Sequence, residues 1–172
     1  YASWKAGAAI CHLHMRDDAW KGTMDRDRFA ETIKLIRAHE DCDVIINCTS
    51  SGSVTPVTEE QRMAHFATIP DIEIGSCDIG TINWGDDWVF DNNPAFLKKL
   101  TTLYKEKEVK PEVEIFDMGM LGNAVHYIKN NYIDQPMFCE LMLGVLGGMD
   151  ATVENLLYLV QHLPEGTIWS AS

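Results

Sequence analysis

No Cys-x-x-Cys spacing occurs in this 172-residue chain, and its cysteines, Cys11, Cys42, Cys48, Cys77 and Cys139, form an odd set. That excludes a fully paired disulfide framework and a cysteine-based zinc knuckle. Most of the five sit in apolar, strand-like segments and read as buried thiols. No apolar run approaches the roughly 20 residues that span a bilayer, and no basic start leads into an apolar stretch with a cleavage site. The expectation is a cytoplasmic protein without a membrane partner. Basic residues are scarce, with 14 Lys and Arg against 26 Asp and Glu and a formal net charge of −12. Such a surface repels a phosphate backbone, so nucleic acid is excluded as a partner. No Gly-x-Gly-x-x-Gly follows a strand; Gly144-Val-Leu-Gly147-Gly148 has the wrong spacing, which disfavours a nicotinamide enzyme. No Ser/Gly/Pro linker divides the chain, so residues 1–172 are expected to form a single domain. A start at Tyr1 and a stop at Ser172 within a strand-like run make a fragment the expectation.

Hydrophobic residues make up 46% of the chain, ample for one core. Six short apolar runs recur, at Ala8 to Met15, Asp43 to Cys48, Ile72 to Ile79, Glu112 to Asp117, Met137 to Met142 and Thr167 to Ala171. Each reads as a buried strand. Helical spacing fills the gaps, as in Phe29, Ile33 and Ile36, in Phe96, Leu100 and Leu103, and in Leu156, Leu159, Val160 and Leu163. Thr58 with Gln61 forms a capping box, Asn93 precedes Pro94 at a first-turn position, and Thr152 opens the last helix. Strand starts recur about every 30 residues, one βα unit of an eight-unit barrel of about 250 residues. The fold class is therefore α/β, with a barrel favoured over a doubly wound open sheet, which alternates in the same way.

His12 and His14 carry the most specific chemical signal. Residues two apart in a strand project to one side, with Cα atoms about 6.8 Å apart, close enough for two imidazoles to meet one ion. A lone histidine is more often a satisfied core residue. A pair inside an apolar strand calls for partners, and a cation bound by neutral nitrogen supplies one. His39, His65, His126 and His162 fall in helical segments without such pairing and read as surface or packing residues. A catalytic zinc usually has three protein ligands and one open position. Glu112 and Glu114 share one face of a strand, Glu140 lies in the next strand, and any of them is a candidate third ligand.

The segment Ala6-Gly-Ala-Ala-Ile-Cys-His-Leu-His-Met-Arg-Asp17 resembles the β-keto acid cleavage enzyme family. Four further blocks agree in order: Ile46-Asn-Cys-Thr-Ser-Ser-Gly52, Gly75-Ser-Cys-Asp-Ile-Gly-Thr-Ile-Asn-Trp-Gly85, Lys110-Pro-Glu-Val-Glu-Ile-Phe-Asp-Met-Gly119, and Leu143-Gly-Val-Leu-Gly-Gly148 with Thr167-Ile-Trp-Ser170. The resemblance implies a (β/α)8 TIM barrel, usually tetrameric, of which this chain carries about strands two to seven and lacks the first and last. It implies zinc held by His12, His14 and a glutamate beyond residue 172. The implied reaction is a Claisen-type exchange in which a β-keto acid and acetyl-CoA give acetoacetate and a new acyl-CoA. By position, Thr49, Gly52 and Ser76 would contact substrate, and Glu114 would be a catalytic carboxylate near the reacting centre. Arg16 and Lys21 are candidates for the CoA phosphates. The family more often has glycine where Ser51 and Ser53 stand, which leaves the identity of the keto acid open.

Two other classes compete. His-x-His on a barrel strand also marks metal-dependent hydrolases of the amidohydrolase type, which need further metal histidines on later strands. A purely structural role for zinc would leave no open coordination position.

Overall fold

Each of the six apolar runs forms a strand in the computed structural model, which describes residues 1–52 and 56–172. Ser53 lies outside the described residues. In chain order the elements are α1 (Ala2–Lys5), β1 (Ile10–Leu13), β2 (Met15–Arg16), β3 (Gly22–Thr23), α2 (Arg26–Arg37), β4 (Ile45–Cys48), α3 (Glu59–Thr68) and β5 (Ile74–Asp78). They continue as β6 (Ile82–Trp84), β7 (Trp88–Phe90), α4 (Pro94–Glu106), β8 (Lys110–Ile115), α5 (Met118–Lys129), β9 (Phe138–Leu141), α6 (Val153–His162) and β10 (Ile168–Ala171). His39 lies just past α2, where its ring stacks on Tyr1 at 3.9 Å, and not within the helix.

Six strands form one sheet in the order β1-β4-β5-β8-β9-β10. The pairs β1–β4, β4–β5, β8–β9 and β9–β10 are parallel. The order follows the chain and never reverses, whereas a doubly wound sheet has a switch point where it does. Consecutive βα units laid side by side are a fragment of a TIM barrel. Two antiparallel hairpins, β2–β3 and β6–β7, were not anticipated from the sequence.

The chain divides into two compact units, Tyr1–Ser76 with Leu103–Lys110, and Cys77–Thr102 with Pro111–Ser172. In the first, Phe29 and Ile33 of α2, Ile46 and Cys48 of β4, Phe66 of α3 and Tyr104 of α4 are buried. Their rings form a chain: Phe29 stacks on His65 at 4.1 Å, His65 meets Phe66 at 3.9 Å, and Phe66 meets Tyr104 edge-on at 4.8 Å. Gly75 makes room for this layer, since a Cβ there would stand 2.6 Å from the Tyr104 ring. Asp25 caps α2 by accepting from the Asp27 N–H, and Thr58 and Gln61 form the full capping box of α3.

In the second unit Val113 and Ile115 alternate with Glu112 and Glu114 along β8, the period-two pattern that sends apolar and polar side chains to opposite faces. Val113 and Ile115 are fully buried, as are Leu100 of α4, Ala124 of α5, Cys139 and Leu141 of β9, and Leu159 of α6. Burying each large aliphatic side chain is worth about 1.5 to 3 kcal/mol. Asp117 caps α5 by accepting from the Met120 N–H, and Thr152 caps α6 through Asn155. Gly147, at φ +104°, lies against the hairpin so closely that a Cβ would fall 1.8 Å from the Asn83 carbonyl oxygen.

Candidate functional site

β1 ends at Leu13, so His12 is the last histidine within the strand and His14 follows one residue past its end. Their rings face each other, with centroids 5.1 Å apart and planes inclined by 25°. Both residues are exposed in this 172-residue chain. The case for a metal rests on their mutual placement. Gly52 crowds the His14 ring: a Cβ at Gly52 would come within 2.9 Å of His14 Nδ1. Partial loss of water around that ring, then the positive charges of His12 and Arg16, push its pKa below the ordinary histidine value. A bare imidazole nitrogen is the form that binds zinc.

The turn after β4 holds the next group. Thr49 and Ser50 are buried, and Ser51 and Gly52 are partly accessible. The Thr49 N–H donates to the Leu13 carbonyl at 3.1 Å, which ties the turn to the end of β1. The Ser50 N–H donates to Ser76 Oγ at 3.0 Å, and the Ser51 N–H donates to Thr49 Oγ1, also at 3.0 Å. Thr49 Oγ1 and Ser51 Oγ lie 3.2 Å apart, and Ser50 Oγ and Ser76 Oγ 3.5 Å apart. Ser76 is fully buried, and its carbonyl accepts from the Tyr104 hydroxyl at 2.7 Å. Its hydroxyl therefore supports the turn.

Two side chains that sequence reasoning did not single out for the site reach this turn from α3. Arg62 Nε donates to the Ser50 carbonyl at 2.7 Å, and His65 Nε2 to the Thr49 carbonyl at 3.0 Å. The donor role fixes the His65 tautomer with its proton on Nε2, an assignment made from the hydrogen-bond network. Nδ1 is buried with no hydrogen-bond partner among the described residues. Burial holds the His65 pKa down at about 4. The capping box legible in the sequence fixes where α3 begins, and Arg62 and His65 then fall three apart on one helix face.

A group of carboxylates lies in the second unit. Glu114 of β8 pairs in register with Glu140 of β9, Glu112 lies two residues before it on the same face, and Asp78 ends β5. Burial, then the charge of Asp78 and a hydrogen bond to it, then Glu112 and Glu140, raise the Glu114 pKa well above the usual carboxylate range. Asp78 lies in the Gly75–Gly85 block, where no pairing or spacing in the sequence sets it apart.

Arg16 Nη1 donates to the Trp20 carbonyl, and the Lys21 N–H donates to Asp17 Oδ1. Arg16 also lines a cavity of about 380 Å³ with Asp17, Asp18, Trp20 and Arg28. The remaining histidines, at 39, 65, 126 and 162, lie on helices or in the turn after α2. A hydrolase built on further strand histidines finds no residues for them among the six in this chain.

The chain is 36% identical over 171 residues to the 3-keto-5-aminohexanoate cleavage enzyme of Fusobacterium nucleatum, covering 99% of this chain and 61% of that protein. It is 31% identical over 188 residues to the 3-dehydrocarnitine:acetyl-CoA trimethylamine transferase of Rhizobium meliloti, covering 97% and 62%. Among solved structures it superposes on apo ObcA with a TM-score of 0.73 at 23% identity, covering 83% of this chain and 34% of that one. The chain thus spans about three fifths of the length of these curated relatives. The family profile of the beta-keto acid cleavage enzymes matches residues 1–172, and the chain belongs to that family.

Proposed function

We propose that the protein carrying this chain exchanges the acyl part of a β-keto acid with acetyl-CoA, producing acetoacetate and a new acyl-CoA. The bond between the keto carbon and the CH2 that bears the carboxylate breaks. The acetyl carbonyl carbon joins that CH2, and CoA sulfur ends on the departing acyl group. Every atom is conserved, and no oxidant is required. The face-to-face arrangement of His12 and His14 carries this reading, supported by the names of the relatives.

His12 and His14 would hold zinc, with a glutamate beyond residue 172 as third protein ligand. Bound there, zinc supplies Lewis-acid polarisation of the ketone and stabilisation of enolate charge. Thr49 and Gly52 bind and orient the substrate carboxylate, Thr49 through its hydroxyl and Gly52 through its backbone, with Ser76 completing the hydroxyl group of the turn. Glu114, whose carboxyl burial and its acidic neighbours bias toward the protonated form, would donate a hydrogen bond to a substrate oxygen. Arg16 and Lys21 are assigned to the CoA phosphates. The resemblance further assigns a single partial barrel domain in a homotetramer, whose assembly size-exclusion chromatography with light scattering would measure, and a cytoplasmic location is the reading carried over from the sequence.

The experiment pairs metal content with turnover. Replacing both His12 and His14 by Ala in the complete protein should abolish zinc in elemental analysis; stoichiometric zinc in the double variant would show the ligands to be wrong. The zinc-loaded protein should consume 3-keto-5-aminohexanoate or 3-dehydrocarnitine only with acetyl-CoA present and release acetoacetate. Absence of turnover across a broad keto-acid panel would remove the reaction.

A further inference from the structure

The turn between Thr49 and Gly52 is held from behind by two side chains whose burial simple packing does not require. His65 is fully buried and Arg62 nearly so. An apolar residue of similar volume would fill either place without removing a strongly hydrated group from water. Both donate to backbone carbonyls of the same turn, at 3.0 and 2.7 Å.

The bonds fall in a pattern. A peptide group is planar and carries its acceptor and its donor on opposite edges, so fixing both edges fixes its rotation. The plane joining Thr49 to Ser50 is held at its carbonyl by His65 Nε2 and at its N–H by Ser76 Oγ. The next plane, joining Ser50 to Ser51, is held at its carbonyl by Arg62 Nε and at its N–H by Thr49 Oγ1. Two consecutive peptide groups are therefore locked at both edges, one residue short of Gly52. The last lock uses the Thr49 hydroxyl as acceptor and leaves its proton free to turn toward a ligand or Ser51 Oγ. Ser76 is steadied in turn by the Tyr104 hydroxyl on its own carbonyl.

We infer that Arg62 and His65 are positioning residues that clamp the Thr49–Ser51 peptide planes and so present the Thr49 hydroxyl and the Gly52 backbone to the substrate carboxylate. The inference rests on the reading, given above, that Thr49 and Gly52 bind substrate. A flexible serine-rich turn would sample many orientations, and each would lower the fraction of molecules competent to bind. The clamp removes that freedom before substrate arrives.

The test uses the complete, zinc-loaded protein. His65→Phe keeps a ring to stack on Phe29 and removes the donor, whereas His65→Gln keeps an N–H of similar reach. Arg62→Met keeps the volume and removes the guanidinium. Amide hydrogen exchange at Ser50 and Ser51 reads the clamp directly; the KM for 3-keto-5-aminohexanoate reads its consequence. Losing one such hydrogen bond should quicken exchange at those two amides and raise KM, each by about tenfold, with zinc content unchanged and kcat less affected. His65→Gln should restore both readouts. Unchanged exchange at Ser50 and Ser51 would overturn the proposal, as would quickening matched by the amides of α3 itself, which marks general loosening. Thr49→Val, read against Thr49→Ser as the control that keeps the hydroxyl and its acceptance of the Ser51 N–H, tests the substrate assignment. If it raises KM while His65→Phe and Arg62→Met do not, the clamp is irrelevant to binding and the proposal falls. If it leaves KM unmoved, the substrate assignment falls, and exchange alone decides whether the clamp exists.

Discussion

Protonating His65 would place a cation between Phe29 and Phe66 with no acceptor in reach of Nδ1 among the described residues. The folded chain therefore resists the proton down to about pH 4, whereas an unfolded histidine takes it up near 6.5. Below 6.5 the unfolded state binds more protons, so stability is complete above that pH and declines as pH falls toward 4. The fall amounts to about 3 kcal/mol over the window. Denaturant unfolding at pH 7 and pH 4.5 should show the wild type losing markedly more stability than His65→Phe. Equal losses would assign the effect to other groups. Sequence alone placed His65 in a helix as a packing residue, which is half of what it does. Its bond to the Thr49 carbonyl joins residues sixteen apart, a distance that periodicity does not reach. His12 and His14 were legible because their relation is local, two positions apart at the end of β1.

At the scale of elements, helix starts were the best-specified boundaries. The Thr58 and Gln61 box and the caps at Asn93 and Thr152 all form as their side-chain chemistry dictates. Thr58→Ala should cost about 1 kcal/mol in denaturant unfolding. A loss within error would mean the Glu59 and Glu60 charges at the helix start already suffice. The hairpins escaped notice for a physical reason. β2 and β3 are two residues each, and β6 and β7 three each, too short for alternation to register. Their connections depend on single left-handed residues, Trp20 at φ 62° and Gly85 at φ 68°. The glycine is a familiar turn signal, whereas the tryptophan is not.

Across the whole molecule, the cysteine pattern yields a direct chemical test. Cys42, Cys48, Cys77 and Cys139 are buried, and only Cys11 is partly accessible. Burial pushes Cys48 and Cys139 up to about 12, far from the reactive thiolate. A thiol reagent at pH 8 should label Cys11 alone within the five of this chain, as mapped by mass spectrometry, and all five in denaturant. Rapid native labelling of Cys48 or Cys139 would contradict the packing behind the sheet. Alternating apolar runs left barrel and doubly wound sheet both available, and the family blocks, by their order, pointed to consecutive units of the barrel. The carboxylate group around Glu114 was visible only in part, since Glu112, Glu114 and Glu140 follow from strand alternation and register. Asp78 joins them through tertiary pairing of β5 with β8, seen where the Ile79 N–H meets the Glu114 carbonyl.

Gly147 leaves less than a methyl group of clearance to Asn83, and the Gly85 N–H meets the Leu146 carbonyl across the same gap. These two loops, some sixty positions apart, therefore constrain each other's inheritance. Anyone grafting either loop from a relative onto this scaffold would have to transplant the two as a matched pair, because a side chain at position 147 would collide with the Asn83 main chain.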